Sequence, residues 1–156
     1  MKKLFLICAF VFMTTNAFGV TPVKLSLWNE IAAPHDDTLH GIEIGIGSYT
    51  PNMVGFMFDF LVGKTDNAAG IQIAMITIAA KMAGIQCGFI NINYDEIIGS
   101  QVGLFNNAER VKGLQIGVFN FTDEMTGIQL GLFNYIGNGK IITESFPAML
   151  IFNANF

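Results

Sequence analysis

The sequence predicts an all-β fold built from a tandem repeat. Three observations carry the prediction. The first is a phrase that recurs every 14 or 15 residues: Gly70, Gly84, Gly99, Gly113 and Gly127 each open a copy, and Gln72, Gln86, Gln101, Gln115 and Gln129 each follow two residues later. Fixed self-similarity of this kind marks a stacked or closed array of one supersecondary unit. The second is strict alternation within each copy. In "GIQLGLFN", Ile128, Leu130 and Leu132 share one face, and Gly127, Gln129, Gly131 and Phe133 share the other. A period of two is a strand signal. The third is glycine about every four residues, which in a helix would cost roughly 1 kcal/mol each relative to alanine.

The elements follow in order. Residues 1–19 ("MKKLFLICAFVFMTTNAFG") start with Lys2 and Lys3, continue with a short apolar stretch and end on the small residues Ala17 and Gly19. This is the pattern of a secretory signal peptide cleaved after Gly19 or Ala17. Residues 20–156 then form a single β-repeat domain. "VKLSLW" is a leader strand, with Val23, Leu25 and Leu27 opposite Lys24, Ser26 and Trp28. Two degenerate copies open at Gly41 and Gly55, so that the repeats span 41–140. In the first, Ile42, Ile44 and Ile46 oppose Glu43; in the second, Phe56, Phe58, Phe60 and Val62 oppose Met57 and Asp59. Links such as "NFTDEMT", "NNAERVK" and "NYDEII" read as polar turns between strands of about ten residues. A last strand covers 147–156.

A sheet with one aliphatic face must hide it. The alternation predicts an antiparallel up-and-down β-barrel of about 8–10 strands of the outer-membrane type, with aliphatic residues such as Phe58, Ile116 and Leu130 toward lipid. Glu43, Asp59, Gln72, Gln86, Gln101, Gln115 and Gln129 are then the lumen-lining residues. The alternative is a β-solenoid with one coil of about 14 residues per repeat, aliphatic side chains inward and Gln and Asn stacked in ladders.

The leader strand, the tandem G-Φ-Q-Φ-G-Φ-Φ-N copies and the final "FPAMLIFNANF" together resemble the bacterial surface-repeat family first named from leptospiral proteins. The resemblance covers Thr21 to Phe156, and Glu43 and Met57 depart from it where glutamine is usual. It implies an exported protein of the outer membrane or cell surface of a Gram-negative-type bacterium. It implies no enzyme activity and no catalytic residues.

Composition agrees in part. Hydrophobic residues make up 52% and charged residues 13%, about half the usual charged share. Without Lys2 and Lys3, six basic residues face 12 acidic ones, which argues against nucleic acid as a partner. Outer-membrane lipid and an envelope or extracellular protein are the expected partners. Cys87 is the single cysteine after the leader, on the aliphatic face, and behaves as a small hydrophobe. His35, Asp36, Asp37 and His40 have ligand chemistry but lie in a polar link, so no metal site is assigned there. "GIGSYTPNMVG" is glycine-rich but is followed by neither a lysine nor a helix, so no phosphate or cofactor site is assigned. Two histidines in one loop supply no catalytic triad. The chain reads as a non-enzymatic surface protein with a structural or interaction role; the other reading is a narrow polar channel or small-ligand-binding barrel.

Overall fold

The computed structural model describes residues 21–28, 31–137 and 148–155. The leader 1–19, the end of the last repeat and the two outermost residues of the final strand lie outside them. Among the described residues, nine strands form one continuous sheet: β1 (Thr21–Trp28), β2 (Ile31–Ala33), β3 (Thr38–Tyr49), β4 (Asn52–Ile73), β5 (Ile76–Cys87), β6 (Ile90–Val102), β7 (Phe105–Ile116), β8 (Phe119–Ile136) and β9 (Ala148–Asn155). The spatial order is β2-β1-β3-β4-β5-β6-β7-β8-β9. From β1 through β8 every pair along β1-β3-β4-β5-β6-β7-β8 is parallel, whereas β2 and β9, at the two ends, run antiparallel to their neighbours.

Parallel pairing overturns the up-and-down barrel, which needs antiparallel neighbours. The protein is a β-solenoid of about eight turns. Equivalent residues of successive copies pair directly: Gly84, Gly99, Gly113 and Gly127 form one column, and Gln86, Gln101, Gln115 and Gln129 another. Parallel strands require a crossover, and here the crossover is the other wall of the same coil.

Each coil has two walls and two corners. The first wall carries the Gly-Φ-Gln-Φ stretch. The chain then bends at Gly88–Phe89, Gly103–Leu104 and Gly117–Val118, and this is the glycine corner. Hydrogen bonding continues around it, with Gly88, Gly103 and Gly117 donating to the carbonyls of Val102, Ile116 and Leu130 at 3.0, 2.9 and 2.9 Å. The second wall carries "ININ", "FNNA" and "FNFT". It returns to a second corner, where Lys81, Glu96, Arg110 and Glu124 stack in register. We call this the charged corner.

The faces are reversed from the solenoid expected from sequence. Gly and Gln point inward, and the aliphatic side chains point outward. Gln72, Gln86, Gln101, Gln115 and Gln129 are fully buried, while Ile42, Ile44, Phe58, Ile85 and Leu130 are exposed. Two causes act together. Stacked amides satisfy one another only where water is excluded. The glycine at the head of each copy also stands where nothing larger fits. Gly113 has φ +141°, and a Cβ there would lie 2.0 Å from the Gly99 carbonyl oxygen of the previous coil. The apolar part of the interior lies toward the charged corner, as the column Met82, Ile97, Val111 and Met125.

Candidate functional site: buried amide ladders and an apolar outer wall

The interior is occupied by two amide ladders of opposite sense. In the glutamine ladder each Nε2 donates to the coil before it: Gln86 to Gln72 Oε1 at 3.1 Å, Gln101 to Gln86 at 3.0 Å, Gln115 to Gln101 at 2.7 Å and Gln129 to Gln115 at 2.7 Å. Gln72 ends the run by donating to the Gly63 carbonyl at 2.7 Å. In the asparagine ladder each Nδ2 donates to the coil after it: Asn91 to Asn106 and Asn106 to Asn120 at 2.7 Å, and Asn120 to Asn134 at 2.8 Å. The same Asn91, Asn106 and Asn120 nitrogens donate to backbone carbonyls at the glycine corner, each at 2.9 Å. The solenoid alternative expected Asn ladders, but on the outside of the coil, and the barrel reading took Asn106 and Asn120 as the start of polar turns. Their spacing of 14 or 15, the same as that of the glutamines, was the available signal.

The expected lumen-lining residues therefore do share one interior, but it is the packed inside of a coil. Glu43 and Asp59 sit apart from the glutamine run, in the first coils. Glu43 accepts hydrogen bonds from Ser26 Oγ at 2.5 Å and Thr50 Oγ1 at 2.6 Å. Lys24, register partner of Glu43, donates to Thr50 Oγ1 at 2.8 Å and to the Asp36 carbonyl at 3.0 Å. The leader strand thus lies beside the first repeat, and Lys24 reaches Glu43 through a threonine hydroxyl. Asp36 also accepts from Thr21 Oγ1. Its carboxylate is thereby engaged in tying β1 to the link that contains His35 and Asp37. Among the described residues no three His, Cys, Asp or Glu side chains cluster as metal ligands.

Asp59 is the least satisfied of the buried charges. Its Oδ2 accepts from Ser48 Oγ at 2.6 Å, whereas Oδ1 has no partner among the described residues. Burial pushes its pKa up from 3.8 to about 7; the Ser48 bond opposes this, the Glu43 charge adds to it, and Lys24 opposes it. The sign for stability follows. The folded state holds the proton more tightly than the unfolded chain, so the contribution is present below pH about 4 and is lost as pH rises through about 7. Urea titrations from pH 4 to pH 8 should show stability relative to Asp59→Asn falling with pH, by on the order of 4 kcal/mol at most. A difference that stays level with pH would show that Asp59 does not titrate in this window.

The outer surface is the other candidate site. Cys87 lies on it, between Ile73 and Val102 in register. The second wall adds an aromatic row, in which Phe119 stacks on Phe133 with centroids 5.3 Å apart and Phe121 leans on Phe105 and Tyr135. A hollow of about 450 Å³ opens at the glycine corner, between Phe58, Phe60, Ile73, Met75, Phe89 and Leu104. At the opposite corner the charges pair among themselves: Arg110 and Lys81 with Asp95, Lys112 with Glu96 at 2.7 Å, and Arg110 with Glu109 at 3.6 Å. Lys112 holds the Glu96 carboxyl below its usual range.

Comparison with family models, with curated proteins and with solved structures finds no match for this chain.

Proposed function

We propose that this chain is an exported, non-enzymatic protein of the outer membrane or cell surface of a Gram-negative-type bacterium. Its role is structural or interactive, and its outer wall is the working surface. One observation carries the reading: polar side chains are gathered inside and hydrocarbon is displayed outside. Soluble monomers rarely show contiguous apolar patches larger than a few hundred Å². A surface so built belongs against lipid or a partner. The strands and the glutamine and asparagine ladders are hydrogen-bonded coil to coil, which is the condition a low-dielectric neighbour imposes. The secretory pattern of residues 1–19 and the likeness of the repeats to surface-repeat proteins support the same reading. The channel alternative loses support because the glutamines bond to one another, leaving the interior filled.

Expression of the full chain in a Gram-negative host tests this. The protein should fractionate with the outer membrane, and N-terminal sequencing should begin at Val20 or Phe18. A cytoplasmic protein retaining Met1 would sink the proposal.

A further inference from the structure

The outward columns are graded around the coil. Next to the glycine corner on the first wall stands Ile44, Phe58, Ile73, Cys87, Val102, Ile116 and Leu130, with no polar atom other than the thiol. One column further, Ile85, Leu114 and Ile128 are joined by a single hydroxyl, Ser100. The next holds Ala83, Ile98, Lys112 and Thr126, and beyond it lies the ion-paired corner. The second wall repeats the trend. Ile76, Ile90, Phe105 and Phe119 flank the glycine corner, and Lys64, Ile78, Ile92, Asn107 and Phe121 come next, the lysine long enough to carry its ammonium toward water, with Tyr94, Glu109 and Asp123 beyond them.

We infer that the solenoid lies on a membrane as a wedge. Its axis runs along the membrane plane, its glycine corner sits in the hydrocarbon of one leaflet, and its charged corner stays in water. The inference rests on the envelope reading above and adds an orientation and a depth to it. Columns two residues apart are separated by roughly 7 Å. The polarity change thus falls about 7–14 Å from the corner, close to the 5–10 Å at which interfacial elements seat and inside a leaflet's roughly 15 Å of hydrocarbon. Seven coils at about 4.8 Å each give an apolar ridge near 34 Å long. Because the ridge wraps both walls, a flat protein partner, a second copy included, would cover one wall and leave the other wet. A fluid acyl phase covers both, and acyl chains fit the hollow between Phe60 and Leu104.

A depth measurement tests it on the mature chain, with Cys87→Ser as background and single nitroxide labels at Val118, Leu114, Lys112 and Glu124. The probe is a vesicle of neutral phosphatidylcholine. Collision with oxygen relative to a water-soluble nickel chelate should fall steadily from Val118 to Glu124, and a label at Phe121 on the second wall should match Leu114. A uniform or reversed profile, or one wall immersed and the other wet, overturns the wedge. In parallel, Leu104→Lys should weaken vesicle flotation by roughly tenfold and Glu124→Lys should leave it unchanged. Equal effects of the two also overturn it. A wild-type chain that does not float at all would instead defeat the underlying lipid reading. Spin–spin broadening of Val118 labels without vesicles would assign the ridge to a second copy.

Discussion

Gly113→Ala is expected to remove most of the protein's stability although it adds a single methyl group. The residue stands at φ +141° in the middle of the stack. Alanine there is strained by the backbone itself, at roughly 1–3 kcal/mol. Its Cβ would also overlap the Gly99 carbonyl oxygen at 2.0 Å, so that adjacent coils must part, for about another 1–3 kcal/mol of overpacking. Domains of this size hold only about 5–15 kcal/mol in total. The control is Lys112→Ala, one residue earlier in the chain, which loses an exposed ion pair with Glu96 and should change stability by less than about 1 kcal/mol. Urea unfolding of the two variants decides the matter. If Gly113→Ala unfolds at the wild-type midpoint, the coils are not packed glycine on glycine.

The second large effect is expected inside the ladder. Gln101→Leu keeps the size of the buried side chain but strands the Oε1 of Gln86 and takes from the Nε2 of Gln115 its short ladder acceptor, leaving that nitrogen only its 3.4 Å bond to the Phe121 carbonyl. At about 1–3 kcal/mol for each buried group left unpaired, the loss should be about 2–5 kcal/mol. Gln129→Leu should cost less. It takes the donor from Gln115 Oε1 and from the Tyr135 carbonyl, but it strands no donor, and it removes a buried Oε1 that already lacks a partner among the described residues. Equal losses at the two positions, measured from urea midpoints at constant slope, would argue that the amides act singly and not as a chain.

Much of this architecture was legible because a repeat announces its own columns. Spacings of 14 and 15 placed Gln on Gln, and alternation correctly separated Ile128, Leu130 and Leu132 from Gly127, Gln129 and Gly131. It also set Lys24 and Ser26 on the buried side of the leader strand, as found, but Trp28, counted with them, is exposed beyond a register shift after Ser26. The direction of neighbouring strands was not legible. Alternation reports which side a residue faces, and a barrel strand and a solenoid strand alternate alike. Nor was the corner. Counting by twos through Gly131–Leu132 put Phe133 with the glutamines, yet Phe133 is exposed, because the bend between Gly131 and Phe133 resets the parity. The same bend sends Asn134 inward, although counting by twos had set it on the face of Leu130 and Leu132. The interior role of Asp59 was visible as a charge on the polar face. Its missing partner was not, since Gly63 and Ser48 meet it only after the chain has gone around the corner.

The reversed strands at the two ends bear on what happens when many copies share one compartment. A pile of identical parallel coils is a template, and each open end could in principle recruit the next chain in the same register, as amyloid growth does. Here the last rung at either end points the other way. An incoming copy would meet β2 or β9 and find neither the strand sense nor the Gln-on-Gln spacing that holds the pile together. Strand polarity thus denies an incoming copy the parallel, in-register edge that coil-on-coil growth would need.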